Sequence, residues 1–500
     1  MKLLIRHGRV VTPEAVVIAD LLVEDGRIAA MGDDLLASST EGGFESDEES
    51  SGTQQGLDRV IDATDRIVLP GAIDAHTHLD MPFEDFASTD DFFTGTRAAL
   101  LGGTTTIVDY AEQAEFEAAS GKDCDDEPKA TSLGRGLARW QEKARGKAVA
   151  DYGFHMTIKH LSHEVLDEMA DMVARGVTSF KVFMAYPGRM MLQDDEIGQV
   201  LARASELGAL VNIHAEDGPL IEDLIRRTKR AKATEPIDHA LCRPSVGESR
   251  AVGRAIALAQ KTGGSLLIVH VSCAQVVDKI RDAKARGVRV FGETCPHYLW
   301  LEQRKLADSG LQGASFICSP PLRDVTHMTA LWAGLSDGTL DVVGTDHCPF
   351  NIVGHKDRGL VDHGRFDFTK VPGGLPGIET RLLLLYAGGV LAGRFDLVEL
   401  AAMTAGRPAA LFGLAPRKGA ITVGADADLV ILDPDGVTSF DADALHMNVD
   451  YSPYEGMTVN GAIDMVLSRG DVVVEQHAFV GSAGRGRYVP RGAVGSPSGR

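Results

Sequence analysis

Eight apolar, strand-like runs alternate with helix-like stretches between residues 67 and 345, and this alternation constrains the fold more than any other feature. The runs are rich in β-branched residues and flanked by glycines, which is typical of buried parallel strands. Helix-like stretches such as 196–207 and 248–261 lie between them. The runs are residues 67–73, 103–108, 152–158, 179–184, 209–213, 266–269, 288–292 and 341–345. This pattern predicts an α/β fold, a (β/α)8 TIM-like barrel with its site at the C-terminal ends of the strands.

Residues of metal-ligand type stand at or near the ends of five of these runs. His76 and His78 follow the first run, and they point to one face of an extended strand because successive side chains alternate. Two imidazoles on one face can bind one divalent metal, although two structural histidines also fall at this spacing by chance. The other candidates are Lys181, His214, His270 and Asp346. Each alone is better explained as a core residue or a helix cap, but the recurrence of six at strand ends favours a metal site.

Lys181 is the unusual member of this set, because a free ammonium on the barrel-facing side of an apolar strand is costly. One explanation is an ion pair with a buried carboxylate. The other is carboxylation by CO2, which gives a carbamate whose two oxygens can bridge two metals. Four histidines and one aspartate are more ligands than one metal ion needs, but they are few for two ions. The position of Lys181 among the ligands therefore favours N6-carboxylysine.

Two neighbouring divalent ions can hold a bridging hydroxide, because they lower the pKa of bound water toward ~7. That hydroxide can attack a carbonyl carbon whose oxygen one ion polarises. Asp346 can take its proton and pass it to the leaving nitrogen. The predicted reaction is therefore hydrolysis, with an amide as the favoured bond.

Composition and charge exclude several other classes of function. The chain has 50 basic and 71 acidic residues, a net charge of −21, which disfavours nucleic acid and anionic membrane surfaces as partners. Its six cysteines show no C-x-x-C spacing and fit a reducing compartment. We find no signal peptide and no apolar run of the ~20 residues that a membrane helix needs. These features predict a cytoplasmic protein.

Both ends of the chain predict short strands that flank the barrel. Asp25-Gly26 is a hairpin turn signal. We expect a small composite β-sandwich domain built from both chain ends. The expected division is an N-terminal part, 1–68, with an acidic flexible insert, 38–56; the hydrolase barrel, 69–412; the C-terminal part, 413–480; and a flexible tail, 481–500, unless a partner subunit orders it.

Several motifs resemble the metal-dependent amidohydrolase superfamily, and within it the cyclic amidases, the dihydropyrimidinases and hydantoinases. The likeness covers nearly the whole chain. The superfamily-level motifs are residues 70–78 and 424–430, and the more specific ones are 151–156, 180–186, 319–323 and 344–350.

The resemblance implies a division of the ligands and several substrate contacts. His76, His78, Lys181 and Asp346 would hold one metal, and carboxylated Lys181 with His214 and His270 the other. Zinc is favoured, with manganese or cobalt as substitutes. Tyr186 matches a tyrosine that binds the substrate carbonyl or its oxyanion. Ser319 matches a serine whose backbone contacts the imide, and Gly373 stands where such enzymes commonly have an asparagine whose backbone meets the ring. A homotetramer is also implied.

The favoured function is hydrolysis of the cyclic amide bond of a dihydropyrimidine or a 5-substituted hydantoin. Residues 214–217 and 293–298 also resemble allantoinases and dihydroorotases, which remain alternatives within the enzyme class. A dihydroorotase would need a basic group for its carboxylate. A non-catalytic scaffold like the dihydropyrimidinase-related neuronal proteins is less favoured, because all six ligand positions are filled.

Overall fold

The structure is a computed structural model that describes residues 1–35, 56–114, 132–361 and 365–495. In chain order the strands are β1 Lys2–Val11, β2 Val16–Glu24, β3 Arg27–Gly32, β4 Arg59–Asp62, β5 Ile67–Pro70, β6 Ala72–Thr77, β7 Pro82–Phe83, β8 Phe86–Ala87, β9 Thr104–Glu112, β10 Asp151–Thr157, β11 Ser179–Phe183, β12 Leu210–His214, β13 Ser265–Ile268, β14 Val290–Thr294, β15 Val342–Val343, β16 Leu360–Val361, β17 Arg365–Phe366, β18 Leu429–Ser439, β19 Thr458–Ser468, β20 Asp471–Glu475 and β21 Ala478–Phe479. The α-helices are α1 Thr94–Leu101, α2 Ser132–Ala144, α3 His163–Ala174, α4 Asp194–Glu206, α5 Gly218–Arg230, α6 Pro236–Leu241, α7 Ser245–Thr262, α8 Ala274–Ala285, α9 Pro296–Trp300, α10 Leu311–Ala314, α11 Val325–Ser336, α12 Arg381–Leu385, α13 Leu397–Ala401 and α14 Arg407–Leu411.

The first sheet is a barrel of eight parallel strands in the order β6, β9, β10, β11, β12, β13, β14, β15. A parallel bridge between Thr77 and His347 brings the first strand beside the segment that follows the last, so the barrel nearly closes. Each of the eight predicted runs contributes one strand to the barrel, and the predicted (β/α)8 barrel is confirmed. The first run also contains β5, which belongs to the second sheet rather than to the barrel. The strands form because their residues are buried on both faces, as the unbroken burial of β10 illustrates.

The second sheet combines strands from both chain ends, as predicted. Its order is β21, β20, β19, β18, β5, β1, β2, β3, with β4 paired to β1. The junction between the chain ends is the antiparallel pairing of β18 with β5. Leu3, Leu21 and Leu429 lie together in a core cluster of this sheet, separate from the barrel core. The turn Asp25-Gly26 has positive φ at both residues, 49° and 80°, as a two-residue hairpin requires.

The last described segment departs from the flexible tail that its composition suggests. Residues 481–495 lie against the barrel rather than free of it. Val489 N donates to Tyr152 O at 2.8 Å. The buried Arg491 donates to Phe154 O and, at 2.9 Å, to Ser179 Oγ. A segment with no core of its own becomes ordered because strand ends of the barrel offer acceptors for its donors.

Three other expectations concern the cysteines, a membrane-spanning helix and the acidic insert. The five cysteines in the described ranges are free and buried. Among the residues that the structure describes, no helix combines the length and hydropathy needed to cross a membrane. Residues 38–55 of the predicted acidic insert lie outside the described residues.

Candidate metal centre and active site

All the predicted site residues line one cavity of about 990 Å³ at the C-terminal ends of the barrel strands. They are His76, His78, Lys181, Tyr186, His214, His270, Ser319, Asp346 and Gly373. The strands place them there in different ways. His214 is the last residue of β12, Lys181 lies within β11, and Asp346 follows β15.

His76, His78 and Asp346 form a compact cluster whose possible ligand atoms lie within 4.8 Å of one another. The Nε2 atoms of His76 and His78 each lie 3.1 Å from the same oxygen, Asp346 Oδ1. On its other side, His76 Nδ1 contacts Glu293 Oε1 at 2.5 Å. This contact aims Nε2 at the cluster, where it is buried and has no hydrogen-bond partner among the described residues. A buried nitrogen without a partner, beside a carboxylate, fits a bound divalent cation.

His214 and His270 form a second group on the adjoining wall. Their ring centroids are 4.6 Å apart, and the centroids of His76 and His270 are 5.5 Å apart. His214 Nε2 contacts Glu216 Oε2 at 2.8 Å, which leaves Nδ1 as the atom available to a metal. The two groups therefore adjoin, as two neighbouring ions would require.

The protonation of these side chains suits metal binding. Burial lowers the pKa of His78, His214 and His270, so their nitrogens keep the lone pairs that a metal needs. Burial opposes ionisation of Asp346 too, but His76 and His78 hold the pKa of its carboxyl well below the usual range. Burial also disfavours the charged form of His76, yet Glu293 and Asp346 raise its pKa to about 9. A cation would replace that proton in the same field of negative charge.

Lys181 is buried, with only 2% of its surface exposed. Its ammonium lies 4.8 Å from the centre of the Tyr110 ring. Within the described ranges the ammonium makes no hydrogen bond and no ion pair, so the expected pairing with a carboxylate is not found. Burial lowers the pKa of Lys181 to about 8, and a larger fraction of the amine is therefore uncharged near neutral pH. An uncharged amine is the form that can react with CO2.

A second carboxylate cluster, Asp151, Asp426 and Asp428, is not a metal site of the same kind. The Lys418 ammonium lies within 3.2 Å of all three residues. Internal cations thus already balance this cluster, because arginines also pair with Asp151 and Asp426. In the described part of the chain, the donor set in the main cavity is the one that fits divalent ions.

Tyr186 and Ser319 occupy the cavity wall beside the second group. The Tyr186 ring centroid is 5.4 Å from that of His214, and Ser319 lines the same cavity. Burial raises the pKa of Tyr186, so the phenol keeps the proton that an oxyanion donor must supply. His239 Nε2 donates to Cys318 O at 2.8 Å and thereby holds the backbone next to Ser319.

Gly373 and Gly374 differ in how strictly they require glycine. A Cβ on Gly373 would lie 3.8 Å from Ser319 Oγ, which is ordinary contact, so a larger residue would fit. Gly374 has φ of 158°, and a Cβ there would lie 2.2 Å from Cys348 O. The constraint on this loop falls on Gly374, while Gly373 could accept a Cβ in ordinary contact with its neighbours.

Three predicted functional residues have backbones in the left-handed region. The φ values are 64° for Tyr186, 42° for His270 and 51° for Asp346. Such a conformation costs a residue with a side chain about 1–3 kcal/mol and persists where the surrounding structure enforces it. Its occurrence at three residues of one cavity is typical of a functional site.

The sequence pattern did not reveal the partners behind the candidate ligands. Glu293 lies in β14, a run predicted to carry no ligand, and it supports His76. Glu216 supports His214, and Arg243 donates to Glu216 at 2.6 Å. Burial would raise the pKa of Glu216, but Arg243 and His214 lower it to about 2. The available signal was position, since Glu216 stands two residues after a predicted ligand and Glu293 stands near a strand end.

Comparisons with known proteins agree with this geometry. A model of the amidohydrolase family matches residues 67–473. The chain is 44% identical to the D-hydantoinase of Geobacillus stearothermophilus, over 99% of this chain and 98% of that protein. It is 43% identical to the D-hydantoinase of Streptomyces coelicolor, over 97% of each chain. The crystal structure of dihydropyrimidinase from Brevibacillus agri superposes with a TM-score of 0.89 at 44% identity, covering 99% of this chain and all of that one.

Proposed function

The chain belongs to the amidohydrolase family, and we propose that it is a metal-dependent cyclic amidase that opens a dihydropyrimidine or a 5-substituted hydantoin by hydrolysis. Relatives named D-hydantoinase and dihydropyrimidinase match over almost their full lengths, which supports this substrate class. The observation that carries the proposal is the convergence of the six candidate ligands with Tyr186 and Ser319 on one cavity.

The chemistry divides between the ions and the protein. The six candidate ligands would hold two divalent ions, which when bound would supply a water of lowered pKa and polarise the ring carbonyl. Asp346 would accept the proton of the attacking water and deliver it to the leaving ring nitrogen. Tyr186 would donate its hydroxyl hydrogen bond to the oxygen that becomes negative as the carbonyl carbon turns tetrahedral. The backbone near Ser319 and Gly373 would bind and orient the ring.

We further propose that Lys181 is N6-carboxylysine and that the ions are zinc, with manganese or cobalt as functional substitutes. The burial of Lys181, its lowered pKa and its position among four histidines support the modification. Carboxylation of the uncharged amine forms a nitrogen–carbon bond to CO2 and releases one proton, which gives an anionic carbamate. Starting from the ammonium, two protons are released in all. Nitrogen and carboxylate donors suit zinc. Cys348 also lines the cavity, but burial raises the pKa of its thiol well above the usual value, so it is a poor ligand.

A substrate panel tests the proposed function. Purified enzyme loaded with zinc is incubated with dihydrouracil, hydantoin, 5-phenylhydantoin, allantoin and dihydroorotate, and the ring-opened products are separated by chromatography. We expect turnover of the dihydropyrimidine or hydantoin compounds to exceed that of the other two. Preference for allantoin or dihydroorotate would assign the chain to one of those alternatives. Absence of hydrolysis by protein with a full metal complement would favour a non-catalytic scaffold.

We also propose a homotetramer in the cytoplasm. Exposed apolar side chains on the second sheet, including Ile18 at 71% exposure, support association between chains. The five buried free thiols of the described ranges support a reducing compartment. Light scattering at micromolar concentration tests the oligomer, and a monomer would contradict it.

A further inference from the structure

A buried pair of opposite charges lies directly behind the candidate ligand His214. Glu216 is 1% exposed and Arg243 is 7% exposed. One oxygen, Glu216 Oε2, accepts from Arg243 Nη1 at 2.6 Å and lies 2.8 Å from His214 Nε2. The arrangement is therefore a chain of contacts from guanidinium to carboxylate to imidazole.

The same Arg243 is itself fixed by a second buried pair. Arg323 Nη1 donates to the backbone oxygen of Arg243 at 2.5 Å, and Arg323 Nη2 donates to Glu248 at 3.0 Å. Glu248 in turn accepts from the backbone nitrogen of Ser272 at 3.0 Å. Ser272 lies two residues after His270, so the network spans the ends of both strands that supply the second ligand group.

This geometry controls which nitrogen of His214 faces the cavity. An ionised carboxylate only accepts hydrogen bonds, so the ring nitrogen beside it carries the hydrogen and the other nitrogen keeps its lone pair. Because Arg243 holds the accepting oxygen in place, it fixes both the tautomer and the orientation of His214. Outer partners of this kind are typically worth about 10–100-fold in metal affinity.

The first ligand group lacks such a cation. Glu293 plays the corresponding part behind His76, but within the described ranges it makes no ion pair with a lysine or arginine. In the same ranges its Oε2 atom is buried and has no hydrogen-bond partner. Among the described residues, a buried arginine therefore supports the His214 side of the centre and not the His76 side.

We propose that Arg243, acting through Glu216, is a positioning residue that sets the metal affinity of the subsite containing His214 and His270 and leaves the His76/His78/Asp346 subsite unaffected. This inference rests on the proposed binuclear site. It assigns the 2.6 Å contact between Arg243 and Glu216 a role in metal retention, although Arg243 also lines the cavity.

The test measures bound zinc per chain against free zinc fixed by a chelator buffer. The full chain is compared with Arg243→Met and with the double variant Glu216→Gln/Arg243→Met. Glu399→Gln is the control, because Glu399 likewise accepts from a guanidinium, that of Arg407, and does not line the cavity. The double variant removes both charges, so it avoids leaving an unpaired buried carboxylate that would destabilise the fold. Thermal unfolding of the metal-free proteins is recorded in parallel.

We expect two binding steps in the parent and in the control. In both Arg243 variants one step should move to about 10–100-fold higher free zinc while the other stays in place. In the double variant this shift should persist although the metal-free unfolding temperature is close to that of the parent. Two unchanged steps in the double variant, or an equal shift of both, would overturn the inference alone. If the parent protein binds fewer than two ions, the binuclear proposal itself is wrong. That outcome is measured on the parent alone, so it is distinguishable from a failure of the Arg243 inference.

Discussion

Replacing Tyr186 with phenylalanine isolates the contribution of one hydroxyl to catalysis. The ring has centroid distances of 5.4 Å to His214 and 6.1 Å to Phe183, and phenylalanine keeps both contacts. The substitution therefore removes only the hydroxyl. Loss of one oxyanion donor costs about 10²–10³ in kcat, or about 2.7–4 kcal/mol.

The expected loss lies in kcat, while KM changes little, because the negative charge on oxygen develops in the transition state rather than in bound substrate. The assay is steady-state hydrolysis of hydantoin and dihydrouracil by protein with its metal content measured. Tyr488→Phe is the matched control, since that hydroxyl donates to Arg175 O at 2.9 Å and Tyr488 does not line the cavity. If Tyr186→Phe turns over both substrates as fast as the parent, the oxyanion role is wrong and Tyr186 only packs against the wall.

Three further predictions concern the ligands and the insert. Lys181→Ala should lose at least one ion per chain and nearly all activity, with partial rescue by short carboxylic acids; full activity without rescue would end the carboxylysine hypothesis. Asp346→Asn should lower kcat by about 10²–10⁴-fold even in molecules that retain metal, which rate measurements normalised to bound metal will show, and turnover near the parental rate would exclude Asp346 as the proton carrier. Replacing residues 38–56 with a short Gly/Ser turn should leave kcat within about a few-fold, because the segment lacks ligand-type histidines; a large loss in a folded variant would show that it contributes to the site.

The barrel was predictable because its strands are buried on both faces and therefore appear in the sequence as continuous apolar runs. The position of Lys181 within such a run, and of His214 at the end of another, followed from the same pattern. The C-terminal ends of parallel strands meet at one end of a barrel, so these residues were expected to share a cavity, and they do.

The partners behind the ligands depend on contacts that sequence spacing does not reveal. Glu293 and His76 are separated by 217 positions, and Glu216 and Arg243 by 27. Neither separation corresponds to the repeat of a helix or a strand, so periodicity in the sequence could not have paired these residues. The tail presents the same difficulty, since Arg491 is ordered by Ser179, 312 positions earlier. From composition alone, the Gly/Arg-rich tail was predicted to be flexible. The hydrogen-bond acceptors on the barrel strands that order it could not be identified from the sequence.

Activity measured against the number of bound ions tests the binuclear centre most directly. The enzyme is stripped with a chelator, reloaded with graded amounts of zinc and assayed for hydantoin or dihydrouracil hydrolysis, while bound zinc per chain is determined by elemental analysis. We predict that full activity requires close to two ions per chain and that stripped protein is inactive. Full activity with one tightly bound ion, or with none, would contradict the binuclear mechanism.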